Sequence, residues 1–248
     1  MGLLIMAIAQ FVFYAELNDF LPTAQRGMPC VVEYASHQTL KHLLESLGVP
    51  HVEFGRLLVD GNEASPSLHP PGGSRVEVFP GHSLPPGGPC FVLDNHLGRL
   101  AAYLRMLGLD TLYRNDYHDQ ELAEVASQEE RILLTRDRRL LMRKMLLYGY
   151  CIRNLEPPEQ LAEVLGRYQI LPPVGESPQS FQRCLRCNTP LQPVSKQSVL
   201  ERLQPLTRLY YDEFHLCPSC DQVYWKGSHV EHMQAMLRNI RNSGGEYN

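Results

Sequence analysis

The chain has 248 residues, 44% of them apolar and 20% charged, with a formal net charge of -4. This is enough for one large domain or two to three small ones with buried cores, and the net charge argues against wholesale coating of nucleic acid. Residues 1–14 are apolar, but they lack a basic leader and a cleavage site, run into Glu16, and are too short to span a membrane. They read as a first strand of a cytoplasmic protein. Of the seven cysteines, Cys184, Cys187, Cys217 and Cys220 form two tight pairs, while Cys30, Cys90 and Cys151 stand alone in apolar runs, which fits a reducing compartment.

In chain order, strands are predicted over 7–14 and 30–34, then a helix over 37–47 capped by Ser36 and closed by Gly48. Strands over 56–59 and 74–79 follow, the first ending in the turn Asp60-Gly61-Asn62. This order resembles a β-grasp, ubiquitin-like domain of the sulfur-carrier sort and is assigned to residues 1–80. Such carriers act through a free terminal Gly-Gly, whereas Gly87-Gly88 is followed by Pro89 and much more chain. The expectation is therefore a module that binds a protein partner, with sulfur transfer as the remote alternative. Residues 81–89, rich in Pro and Gly, read as a linker.

Residues 90–170 alternate strand and helix. An apolar strand, Cys90-Phe91-Val92-Leu93, meets Asp94; a helix carries Leu97, Leu100, Ala101, Leu104 and Leu107 and stops at Gly108. A strand over 110–113 leads to Asp116 and Asp119, a second helix, and a strand over 131–135 that ends near Asp137. A helix over 138–148, a strand over 150–153 and a helix opened by Pro157-Pro158 complete the pattern. Such alternation predicts an α/β domain with a parallel sheet, in which the carboxyl ends of the strands line one crevice.

Asp94, Asp119 and Asp137 could thus converge, and oxygen-only clusters suit magnesium or manganese in phosphodiester hydrolysis. An Asp between strand and helix is equally an ordinary N-cap. Asp116 reads as a loop residue. Arg99, Arg105, Arg114, Arg131, Arg136, Arg138, Arg139, Arg143, Lys144 and Arg153 all fall here, and such a basic group attracts a polyanion.

Phe91-Val92-Leu93-Asp94, His96-Leu97-Gly98-Arg99-Leu100-Ala101, Leu104-Arg105-Met106-Leu107-Gly108, Asp119-Gln120-Glu121-Leu122 and Arg131-Ile132-Leu133-Leu134-Thr135-Arg136-Asp137 resemble the Mut-seven C-terminal RNase family, a PIN-like nuclease fold. The resemblance runs from about Phe91 to Met233 and implies a metal-dependent ribonuclease. It places the catalytic, magnesium- or manganese-binding acids at Asp94, Asp119 and Asp137, with Arg99, Arg105 and Arg136 as companions. It also implies a ubiquitin-like domain ahead of the nuclease. PIN-like sites often carry a fourth acid; here Glu121 is a candidate, and Asn154 follows the fourth strand.

Residues 171–248, after Leu171-Pro172-Pro173, read as a zinc ribbon and a C-terminal helix. Cys184-Leu185-Arg186-Cys187 and Cys217-Pro218-Ser219-Cys220 offer four thiolates for a closed, tetrahedral, structural zinc, with a hairpin between the pairs; disulfides or a redox dithiol are the alternatives. In Tyr224-Trp225-Lys226-Gly227-Ser228-His229, which the resemblance includes, Lys226 and His229 are candidate RNA contacts. Ser228 and Glu231 read as a capping box, with His232 on the first turn of the helix they open. The composite reading is a ribonuclease; the rival is a non-catalytic RNA-binding or ribosome-associated adaptor whose acids are helix caps.

Overall fold

The computed structural model describes residues 6–171, 182–227 and 235–237. The predicted capping box at Ser228 and Glu231, and His229 and His232 with it, lie outside the described residues. The chain forms two compact units, each built from separated segments: residues 1–86 with 119–151, and residues 87–118 with 152–248.

The first segment holds β1 (Met6–Phe13), β2 (Cys30–Ala35), α1 (Leu40–Ser46), β3 (Phe54–Val59), β4 (Asn62–Glu63) and β5 (Arg75–Pro80). Their sheet runs in the order β2-β1-β5-β3-β4. β1 is antiparallel to β2 and parallel to β5, the mixed pattern of a β-grasp. Alternation on β1 buries Ala9, Phe11 and Phe13, and α1 buries Leu40, Leu43 and Leu44 on its apolar face. Asp60 and Gly61 take φ values of 49° and 78°, the pair of positive angles a two-residue hairpin needs. Asp60 Oδ1 accepts the Arg75 amide at 2.8 Å and so ties this turn to β5. The helix begins later than its sequence suggests: Thr39, not Ser36, caps α1 by accepting the His42 amide.

The alternating region contributes β6 (Phe91–Leu93), a 3-10 turn (Asn95–Leu97), α2 (Gly98–Met106), β7 (Thr111–Tyr113), α3 (Asp119–Gln128), β8 (Ile132–Thr135), α4 (Arg138–Leu141), β9 (Gly149–Cys151) and α5 (Pro157–Arg167). β6 and β7 pair in parallel, as do β8 and β9, so the expected α/β class with a parallel sheet holds. β6, β8 and β9 are buried at every position, as strands covered on both faces must be. The helix expected over 138–148 is only α4. The Tyr148 carbonyl accepts the Leu133 amide and that of Leu146 faces the His51 ring, so this backbone is held by sheet and side-chain partners.

Gly98 shows why the start of α2 cannot vary. A Cβ there would lie 2.7 Å from the Tyr113 hydroxyl, which donates to the Asn95 carbonyl at 2.8 Å and so braces the turn after Asp94. Gly98→Ala is expected to destabilise the protein by about 2 kcal/mol, because neither the helix backbone nor the ring can give way freely. Thermal denaturation with an unchanged midpoint would refute that packing.

The last part holds β10 (Gln192–Val194), α6 (Lys196–Val199), α7 (Pro205–Tyr210), β11 (Phe214–Leu216) and β12 (Val223–Trp225). The strands form an antiparallel sheet in the order β10-β11-β12. The insertion between the cysteine pairs is therefore more than a hairpin, since it contains α6 and α7. With Val223 of β12, its Val199, Leu203 and Phe214 form a small core.

Candidate functional site

Each cysteine pair sits on a tight knuckle, and the two knuckles are built alike. The Asn188 amide donates to the Cys184 carbonyl and the Asp221 amide to the Cys217 carbonyl, both at 2.9 Å. In return, the Cys184 amide donates to the Thr189 carbonyl and the Cys217 amide to that of Gln222. Asn188 and Asp221, each just after a pair, take φ values of 69° and 56°, the left-handed conformation Asn and Asp tolerate best among residues with a side chain.

The four Sγ atoms lie within 4.8 Å of one another. Cys184 and Cys220 are 3.5 Å apart and Cys187 and Cys217 3.4 Å, far beyond an S–S bond of about 2.05 Å. Sulfurs placed tetrahedrally about an ion at about 2.3 Å would stand about 3.8 Å apart, so the donor set fits a metal closely.

The thiols do not share one environment. Burial pushes the Cys187 thiol up, but hydrogen bonds with the Thr189 hydroxyl and amide and the neighbouring thiols bring it down to about 6. Burial, then a hydrogen bond with the Cys184 sulfur, pushes the Cys220 thiol up to about 12. Tyr224 was not foreseen as part of this site. Its oxygen accepts the Leu185 amide at 3.2 Å and lies 3.1 Å from Cys184 Sγ, which leaves the phenolic hydrogen to serve the sulfur. Burial, then Cys184, holds its phenol above the ordinary range.

Arg105 proves to belong to this cluster's support. It is 3% exposed; its Nε donates to the Thr111 carbonyl at 2.8 Å, and its Nη1 to the carbonyls of Leu185 and Arg186 at 2.9 and 3.1 Å. Burial lowers its pKa, and the sulfurs of Cys184 and Cys187 work against that fall. Around it, the Thr111 amide donates to Asn188 Oδ1, Asn188 Nδ2 donates to Asp110 Oδ1, and Arg183 pairs with Asp110 at 3.1 Å. The first knuckle is thereby bolted to α2 and β7, and Arg105 leaves the set of side chains offered to RNA. Arg105→Ala is expected to cost about 3 kcal/mol by stranding three carbonyls, and Arg105→Lys to recover only part of it for want of the planar fork. Urea denaturation measures this, and a loss under about 1 kcal/mol would contradict it.

The aspartates are positioned as follows. Asp94, half-buried after β6, caps the 3-10 turn by accepting the Asn95 amide at 2.6 Å. Asp137, exposed after β8, caps α4 by accepting the Arg139 amide at 2.7 Å, and its own amide donates to Thr135 Oγ1. Asp119 is exposed at the first residue of α3 and makes no hydrogen bond or ion pair among the described residues. Asp116 is held by both arms of the Arg114 guanidinium at 3.0 Å, which lowers its pKa. Asn154 is engaged by Glu163, which accepts its amide and side chain and the Arg153 amide. Arg99 and Arg136 are exposed, with no ion pair among the described residues. Lys226 is exposed and pairs with Glu213 at 3.2 Å.

A ubiquitin-like sheet, parallel α/β strand pairs and four clustered cysteines define a multi-part α/β protein with a site that can hold a metal ion. Residues 89–237 match the Mut7-C RNAse domain, and residues 6–84 the Mut7-C ubiquitin domain. The chain belongs to the Mut7-C RNAse domain family, whose description marks its larger part as nuclease-like. No curated protein and no solved structure matches it. No helix among the described residues is long and apolar enough to cross a membrane.

Proposed function

We propose that the protein is a divalent-metal-dependent ribonuclease whose ion is held by Asp94, Asp119 and Asp137. The observation that carries this reading is Asp119: an exposed carboxylate at a helix start that caps nothing and pairs with nothing among the described residues, in a chain matching an RNase family. Three carboxylates are hard oxygen donors of the kind magnesium and manganese take. Such an ion, when bound, supplies an activated water and stabilises the charge on the displaced oxygen. Arg99 and Arg136, free of carboxylate partners among the described residues, hold the RNA phosphates. Lys226 and His229 contact the RNA from the ribbon, whose four cysteines hold a structural zinc.

The rival adaptor reading has one observation in its favour, the capping bonds of Asp94 and Asp137. Incubating the purified full chain with single-stranded and structured RNA separates the two. Cleavage that appears with manganese or magnesium and stops with a chelator supports the nuclease; RNA bound intact with or without the ion sinks it.

A further inference from the structure

The segment carrying Asp137 is poorly equipped to hold itself. α4 spans only Arg138–Leu141, too short to be stable alone, and Asp137 is exposed. Yet a metal-binding carboxylate must be fixed to within about 0.5 Å to be useful. Beyond its local bonds to Thr135 and Arg139, what holds the segment comes from far away in the sequence, in the β-grasp domain.

Contacts from that domain follow the chain from residue 138 to 151. At the start, Arg138, next to Asp137, donates to the carbonyls of Asp19 and Phe20 at 2.8 and 3.2 Å, and its guanidinium lies 5.0 Å over the Phe20 ring. In the middle, His51 Nε2 lies 3.0 Å from the Leu146 carbonyl while its Nδ1 lies 2.9 Å from Glu45 Oε1. Val52 packs so closely on Gly149 that a Cβ there would lie 3.0 Å from Val52 Cγ2. At the end, the fully buried Glu53 accepts the Cys151 amide on β9.

We infer that the β-grasp domain acts within its own chain, as a brace that fixes the Asp137 turn, with Arg138 and Glu53 as positioning residues. The partner of this face of the domain is the segment 138–151 itself. The functional consequence rests on the ribonuclease reading, whereas the brace does not. Both anchors have the right chemistry, since a planar guanidinium reaches two carbonyls and a ring at once, and a buried carboxyl oxygen gives a backbone amide an acceptor shielded from water.

The test uses full-length protein carrying Arg138→Ala or Glu53→Ala, with Arg138→Lys and Glu53→Gln as conservative partners. Amide hydrogen exchange is followed across residues 138–151 and, for comparison, across β1 and β3. The alanine variants are expected to speed exchange in 138–151 by about tenfold or more while β1 and β3 stay protected. They should also raise the manganese concentration for half-maximal cleavage by about tenfold, with the rate at saturating metal within about twofold, because the ligand is loosened and not lost. The conservative variants should restore part of both. Unchanged exchange in 138–151, an equal rise in β1 and β3, or a lowered saturating rate at an unchanged metal requirement would each overturn the brace. Should wild type cleave nothing with any ion, the ribonuclease reading fails while the exchange measurement still decides the brace.

Discussion

Asp94→Asn and Asp137→Asn are each expected to lower metal-dependent RNA cleavage by about a thousandfold or more, with the protein still folded. The substitution separates the two roles these residues could have. Each carboxylate already accepts a backbone amide through one oxygen, from Asn95 in one case and Arg139 in the other. Asparagine is as good an N-cap as aspartate, so its amide oxygen takes over that bond at little cost in stability. What it cannot supply is the negative charge that draws a hard cation. Asp119→Asn, with no capping bond to preserve, should behave the same way. Rates with saturating manganese and denaturation midpoints are the two measurements. Variants that fold and cleave like wild type would leave the acids as caps alone.

Removing the ion from the four cysteines is expected to have the largest effect on structure. Structural zinc contributes about 10 kcal/mol or more in small thiolate sites. The ribbon's own core, Val199, Leu203, Phe214 and Val223, cannot replace that. Cys217 is fully buried at the centre of a knuckle, so Cys217→Ser should lose the ion and expose the remaining thiols. One metal per chain in wild type, less than about a tenth of that in the variant, and a rise in reactive thiols on chelation are the expected readings. The loss should spread. Because Arg105 bonds the carbonyls of Leu185 and Arg186, a melted knuckle frees a buried guanidinium beside β7. Wild-type protein with no bound metal and a fully protected ribbon would refute the site.

Some of the site was legible from residue spacing and some was not. Cysteines separated by two residues must lie on one turn, so the pairs announced a metal site before any fold was known. The aspartates announced only that each follows a strand; the capping bonds of Asp94 and Asp137 look the same in a sequence whether or not a metal is also held. Arg105 misled because its neighbours on α2 show a motif, while two of its three carbonyl partners, eighty residues on, do not show in any local pattern. Asn188, Asp110 and Arg183 gave no signal beyond their polarity; Tyr224 opens the run to His229 that the resemblance includes, but nothing in that run tied it to the cysteines, although a Tyr four residues after the last of them is close enough to suspect.

By itself the sequence determined what depends on neighbours within a turn or two: the strands and helices from their apolar periods, the Asp60-Gly61 hairpin, the cysteine knuckles and the order of the parts. Only the tertiary structure decided that Thr39 and not Ser36 starts α1, that the helix after Asp137 ends at Leu141, that Arg105 is a bolt, and that the β-grasp domain grips residues 138–151. The physical reason is range. Torsional preference and local hydrogen bonding act over a few residues, whereas burial and the satisfaction of distant carbonyls depend on what the rest of the chain brings alongside.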